Sequence, residues 1–394
     1  MKLSSLFFVA LASFAAISCE DNLDETPESS FQWNELYPPK YSFTRNDASS
    51  VDYQECDFLA YPLNIIYDNY LNPARLSNQS QFDLMLNYYD NGVYGIAPKE
   101  EIARSPLVGQ YRPTVLKDID ILFDDIRRIS GGYASQAPTI RNREAEPGVT
   151  GFIGSDITDP NLLFADEKGV VVADVFNMYI SGAIYLDKII NLHLDEAIYT
   201  SETYRNDHQN VVLPPGRNYT QLEHHWDLAY GYYTNFWKKF AQADGIPIMK
   251  HSQRTLFEAF AYGRDAMRTY DYVRMINYLH TIKEELSRVA AIRTMNYLLG
   301  PNTMANIAEE PKFAFGFISQ AIGLIYALQF ASDAQGHLYY EREQLLRLVD
   351  NLKQDQGLWN VERLLAGQEV EGSLLHTAAA IGEPFGITTD QIKR

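Results

Sequence analysis

The chain has 394 residues, with 51 acidic against 33 basic side chains, a formal charge of -18 and two cysteines, Cys19 and Cys56. So acidic a chain has no electrostatic footprint for nucleic acid and is repelled by an anionic bilayer, so any membrane attachment has to come from elsewhere. Cationic ligands, metal ions among them, remain compatible with the charge, although solubility alone accounts for it equally well.

In chain order, Met1 to Ser18 have the parts of a bacterial lipoprotein signal peptide. Lys2 supplies the positive start, Leu3 to Ile17 are uncharged and largely apolar, and Ala16-Ile17-Ser18 set small residues before Cys19. A helix over Leu6 to Ile17 rises only ~18 Å, against ~30 Å of hydrocarbon, so it does not span a membrane. The expected consequence is cleavage before Cys19 and lipid on its sulfur; the alternative is an ordinary secretory signal with a chance cysteine. One acyl chain binds marginally, so stable anchoring needs several on Cys19. Acylation leaves Cys56 without a partner, and the fold has to hold without an intramolecular disulfide. Residues 19–40 are polar and acidic, with Pro27, Pro38 and Pro39, and read as a flexible tether. The stretch from Cys19 through Glu20, Asp21, Asp24 and Glu25 resembles lipoproteins of Bacteroidota, in which such an acidic run accompanies surface display.

Residues 41–394 then repeat apolar side chains at spacings of three and four. Ser80 opens a helix carrying Phe82, Met85, Leu86 and Tyr89, ended by Gly92. Val115, Ile119, Leu122, Ile126 and Ile129 mark a second, stopped by Gly131-Gly132. Val170 to Ile190 is apolar over most of its surface and therefore central. Tyr219 to Ala243, Ser252 to Met267 and Asp271 to Leu299 are each helical, the last closed by Gly300-Pro301. Lys312 to Ala331 is apolar enough for a membrane span, yet Ser319, Gln320 and Gln329 interrupt it, which favours a buried bundle helix. Tyr340 to Lys353 and a loosely periodic tail add at least one helix. Val211-Val212-Leu213 is the best short strand, and Pro147 to Asn161 and Ser201 to Asn218 are the longest irregular connections. The expected architecture is an all-α bundle of about eight or more helices.

No phosphate-binding glycine loop, HExxH, CxxC pair or GxSxG is present. The dense constellation is Glu223-His224-His225-Trp226-Asp227-Leu228-Ala229-Tyr230-Gly231. At helical spacing Glu223 and Asp227 share a face and His224 stands three residues from Asp227, so two carboxylates and an imidazole are candidates to converge on a divalent metal, with His225 and Tyr230 beside them. The structural alternative is a histidine donating to a carboxylate while Trp226, Tyr230 and Tyr233 pack in the core. Gly231 within a helix implies a close crossing or a ligand near the backbone. Arg264 is a candidate buried anchor for one of the acids. His193 and Glu196 have ligand spacing but sit at a helix end, where a chance pairing explains them.

The order Glu223-His224-His225-Trp226-Asp227-x-Ala229-x-Gly231-Tyr232 resembles an uncharacterised family of Bacteroidota lipoproteins, a domain of unknown function similar to the imelysin-like helical proteins. Glu167-Lys168-Gly169 with Ser181-Gly182-Ala183, Glu258-Ala259 with Gly263-Arg264-Asp265-Ala266, and Val289-Ala290-Ala291 with Tyr297-Leu298 extend the likeness over most of the chain. The resemblance implies an all-α lipoprotein linked to iron or haem acquisition. This chain departs from the pattern at Leu228, and at Gly316, Ser319, Gln320 and Ala321, where His-x-x-Ser-Glu-Gly is expected; two polar ligands are missing. The leading expectation is therefore a non-enzymatic outer-membrane lipoprotein, on the cell surface or the periplasmic face, binding a metal, haem or another small ligand for an uptake system. A metallopeptidase is the enzymatic alternative, short of ligands, and a structural or docking subunit of an outer-membrane complex is the third.

Overall fold

A computed structural model describes residues 39–71, 79–130, 143–155 and 162–392. The signal segment, Cys19 and the acidic stretch after it, as well as Gly131-Gly132, lie outside the described residues. Lys40–Arg394 forms one compact unit. It opens with a small hairpin, β1 (Thr44–Arg45) and β2 (Ala48–Ser49), whose turn residues Asn46 and Asp47 both have positive φ, as a two-residue turn between twisted strands requires.

Everything that follows is built on helices, and those of eight residues or more are labelled here. They are α1 (Gln54–Ile65), α2 (Gln79–Asn91), α3 (Arg112–Ser130), α4 (Val172–Ile180), α5 (Glu202–Gln209) and α6 (Gln221–Tyr232). The second half adds α7 (Ser252–Arg268), α8 (Tyr272–Leu299), α9 (Pro301–Glu309), α10 (Phe315–Ala327), α11 (Arg342–Lys353) and α12 (Leu374–Gly382). A second hairpin, Gly151–Ile153 against Leu163–Ala165, is the only other paired strand element among the described residues. The all-α expectation therefore holds.

The expected central helix is central. α4 runs on in wider turns from Ser181 to His193, and nearly every residue of this rod is buried. α10 lies along it so closely that a Cβ at Gly323 falls 2.5 Å from the Val175 carbonyl oxygen, and α8 covers α10 from the other side. The stretch Pro311–Phe330 is thus a bundle core helix with 78% of its apolar window buried. Its polar interruptions are used inside the fold: Ser319 Oγ accepts the Val171 N–H at 2.9 Å and donates to the Phe315 carbonyl at 2.6 Å.

Three expectations are corrected. Val211-Val212-Leu213 is no strand: Val211 has φ 54° and the segment is an exposed turn. Ser201 to Asn218 is not wholly irregular, because Ser201 caps α5, a helix missed for its nearly all-polar sequence. α1 and α9 carry no strong apolar stripe either; α9 starts on Pro301, where a missing N–H costs nothing, so the proline that closes α8 also opens the next helix.

Candidate functional site

Thr220 starts α6 with a capping box: its hydroxyl accepts from the Glu223 N–H, and Glu223 Oε2 accepts from the Thr220 N–H at 2.8 Å. Glu223 is thereby fixed at the first turn, with Oε1 turned inward. Asp227, one turn on, projects the same way, and Arg264 of α7 meets both. Its Nη1 donates to Glu223 Oε1 at 2.8 Å and its Nε to Asp227 Oδ1 at 3.1 Å, with all three side chains at most 3% exposed.

The segment before α1 closes this triad. Arg45 Nη2 donates to Glu223 Oε1 at 2.9 Å, and Tyr41 donates its phenol proton to Asp227 Oδ1 at 2.6 Å. Ser50 receives Arg264 Nη2 on its carbonyl and hydroxyl oxygens, both at 3.4 Å, and the Phe43 ring lies 5.1 Å from the guanidinium carbon. Two arginines thus face two carboxylates, and the buried cluster is neutral. Asp227 Oδ2 alone is left without a partner.

The electrostatics differ within the pair. Burial pushes Glu223 up, but Arg264, the Thr220 N–H and Arg45 outweigh it and hold the carboxyl below its ordinary range. For Asp227 burial wins over Arg264 and Tyr41, and its pKa is pushed up to about 6. Burial lowers Arg264, yet Asp227 and Glu223 more than restore it, so the guanidinium stays charged.

The histidines do not join the acids. His224 stacks on Tyr219 with centroids 4.2 Å apart and its Nδ1 lies 3.0 Å from the Asp52 carbonyl oxygen. His225 Nδ1 faces His193 Nδ1 at 3.2 Å, one nitrogen carrying the shared proton. Burial holds both rings neutral, with His225 lowered to about 4, and His193 Nε2 is buried without a partner. Glu196 instead reaches His280, at 2.7 Å. The expected convergence of Glu223, His224 and Asp227 on one ion is therefore overturned: a guanidinium occupies the point where their ligand atoms were to meet. Among the described residues no group of three or more His, Cys, Asp or Glu side chains is placed to hold a metal ion.

The other residues singled out in the motif have packing roles. Trp226 is fully buried, its indole N–H donating to the Phe260 carbonyl at 2.9 Å, and a Cβ at Gly263 would fall 2.1 Å from its ring. Tyr230 stacks on Tyr41 with centroids 3.9 Å apart. Gly231 permits the crossing of α1, since a Cβ there would stand 2.7 Å from Cys56 Sγ and from Tyr53 Cβ.

Gly316 and Gln320, where the family pattern expects ligands, flank a second buried acid. Asp174 of α4 accepts hydrogen bonds from Gln320 and, at 3.4 Å, from Tyr67, and a Cβ at Gly316 would sit 3.6 Å from its Oδ2. Burial pushes its pKa up to about 7. Sequence reasoning missed Asp174, Tyr41 and Arg45; the Thr220-x-x-Glu223 capping signature was the one local signal that Glu223 had backbone work to do.

No curated protein and no solved structure matches the chain. One family does, over residues 38–388, which takes in the hairpin, α6 and α7 together, so the chain belongs to the family described as domain of unknown function (DUF4856).

Proposed function

We propose that this protein is a non-enzymatic cell-envelope lipoprotein, held in the outer membrane by lipid on Cys19, whose helical body serves as a docking or structural subunit. The observation that carries this reading is the way the segment nearest the anchor is built into the core. Tyr41, Arg45 and Ser50 close on Asp227, Glu223 and Arg264, so a pull on the chain at Lys40 is borne by the buried ion cluster and two long helices. A protein restrained at its amino-terminal end needs such a lock; a free ligand carrier does not. The acidic run of Glu20, Asp21, Asp24 and Glu25 supports display on the surface of a Bacteroidota cell, and the motif around Trp226 supports kinship with imelysin-like proteins.

The metal or haem carrier, expected first from sequence, loses ground on the same observation. Its carboxylates are already neutralised by Arg264 and Arg45, and a cation entering there has to displace a buried guanidinium. The His193 and His225 nitrogens are neutral, the form that binds metal, but two ligands fall short of the three or four of a zinc site.

The test is fractionation of cells fed labelled fatty acid. Wild type is expected in the membrane fraction with label, and Cys19→Ser in the soluble fraction without it; label on the variant, or soluble wild type, refutes the anchor. Calorimetry with zinc, ferrous iron and haem decides the second point. Stoichiometric uptake that is lost in His224→Ala or His225→Ala overturns the docking reading in favour of a carrier.

A further inference from the structure

The place where the chain enters the folded unit adjoins a small apolar surface. The hairpin β1–β2 is fastened to the loop before α6. Arg45 donates to the Asn218 carbonyl at 2.8 Å, and Asn218 Nδ2 donates to the carbonyls of Arg45, Ala48 and Ser49 at 2.8, 3.1 and 3.0 Å. Arg217 pairs with Asp52 at 2.8 Å. The same loop begins, after α5, with Val211 and Val212, which are 42% and 51% exposed. Val211 adopts φ 54°, a region that a β-branched residue rarely enters, so the turn holds these side chains outward at a cost in backbone strain.

A second loop completes the surface. The His208 ring, three residues before Val211, lies 5.4 Å from the ring of Tyr270 in the α7–α8 turn. Tyr270 is 45% exposed, and Val273, in the first turn of α8, is 75% exposed. Although the chain is strongly acidic, the charges around this end are paired: Arg217 with Asp52, and Arg268 and Arg274 with Asp265. The local balance suits a zwitterionic surface that the rest of the molecule gains nothing by approaching.

Chain length restricts what meets this end. Glu20 to Pro39 is 20 residues, which reach at most ~70 Å at ~3.3–3.6 Å each. We propose that the end carrying Val211, Val212, Tyr270 and Val273 rests on the bilayer that holds the Cys19 lipid. The valines enter the interfacial layer and the Tyr270 ring lies at headgroup level, where aromatic side chains with one polar edge settle. This deepens the anchoring proposed above and rests on it. The apolar contact adds to an acyl attachment and fixes which face of the body looks away from the membrane.

The test is hydroxyl-radical footprinting of the lipidated mature chain in phosphatidylcholine and phosphatidylethanolamine vesicles, beside the Cys19→Ser chain free in solution. Oxidation of Val211, Val212, Tyr270 and Val273 should fall several-fold on the vesicles, while Tyr61, Tyr94 and Ile121, exposed on other elements, stay unchanged. The double variant Val212→Asp, Val273→Asp touches only exposed side chains; it should melt with the wild type yet lose the protection at Tyr270. A wild-type chain without lipid that does not float with the vesicles refutes the anchor, and this orientation with it. A chain that floats but shows no local protection, or equal protection at Tyr61 and Tyr94, overturns the docking alone. Protection that requires added envelope proteins also overturns it, in favour of a protein partner.

Discussion

Replacing Arg264 by leucine tests whether the buried cluster is structural. The substitution removes the charged donor to Glu223 and Asp227 while keeping the aliphatic volume of the side chain. Hydrogen bonds to charged groups contribute ~1.5–3 kcal/mol each, and breaking a buried ion pair from one side costs ~3–5 kcal/mol because a charge is left uncompensated. Glu223 keeps Arg45 and its capping bonds; Asp227 keeps only the Tyr41 hydroxyl. The loss should therefore centre on Asp227. Its pKa of about 6 already lies above the ordinary carboxylate value of 3.8, so the folded state takes up a proton more readily than the unfolded one, and stability falls as pH rises from about 4 through 6. Without Arg264 that pKa climbs further and the falling limb extends upward. Urea unfolding should accordingly show a penalty of ~3–5 kcal/mol near pH 8 that shrinks toward pH 4, where the acid is protonated in both proteins. At an unfolding entropy of ~2.1 cal/mol/K per residue, this is a melting shift on the order of 5 °C. Adding Asp227→Leu should restore most of the loss, since an apolar replacement of both partners leaves no charge to desolvate. A penalty under ~1 kcal/mol, or one that does not vary with pH, would refute the reasoning.

Three further outcomes are expected. Asp174→Asn should stabilise the protein above pH 7 and be near neutral at pH 4: the folded pKa of about 7 against 3.8 means that wild type forfeits ~4 kcal/mol as pH rises across that window, and pH-dependent unfolding that does not separate the two proteins would disprove the buried acid. The His225 imidazole should titrate by NMR near pH 4; because its folded pKa is depressed, stability tied to it is present above the unfolded value near 6.5 and is lost as pH falls through 4, and a midpoint near 6.5 would contradict its burial against His193. Gly263→Ala should destabilise by at least ~1–3 kcal/mol despite the better helix propensity of alanine, because the new Cβ meets the fully buried Trp226 ring at 2.1 Å; an alanine variant as stable as wild type in urea would show that the ring has room to move.

The helices with continuous apolar stripes were legible from sequence because burial imposes the period directly. α3 shows Val115, Ile119, Ile126 and Ile129 facing inward as spaced, and the rod from Val172 to His193 is apolar all round because it is buried all round. α5 was not legible: Glu-Thr-Tyr-Arg-Asn-Asp-His-Gln offers no stripe, and only the Ser201 cap and the burial of His208, which packs against Thr220 Oγ1 at 2.8 Å, hold it in place. Val211-Val212 looked like a strand because β-branched residues favour pleated backbone, yet nothing in the fold offers that segment a partner strand, and a turn won.

The motif in α6 was located correctly and its partners misjudged, for a reason that lies in helix geometry. At ~100° per residue, Glu223 and Asp227 stand only ~40° apart, whereas His224 is ~100° from the first and ~60° from the second. A carboxylate pair so close in angle presents a single negative face, and whichever long cation lies across from it is drawn in. Arg264 sits on α7 directly over that face, one residue after Gly263, whose missing Cβ lets α7 approach the Trp226 ring. His224, displaced around the helix, emerges beside Tyr219 and the Asp52 carbonyl instead. Spacing along one helix shows which groups share a direction. It does not show what stands opposite them, and here that was the Gly263-Arg264 step, 36 residues beyond Asp227 and read in the sequence only as a candidate anchor for one acid.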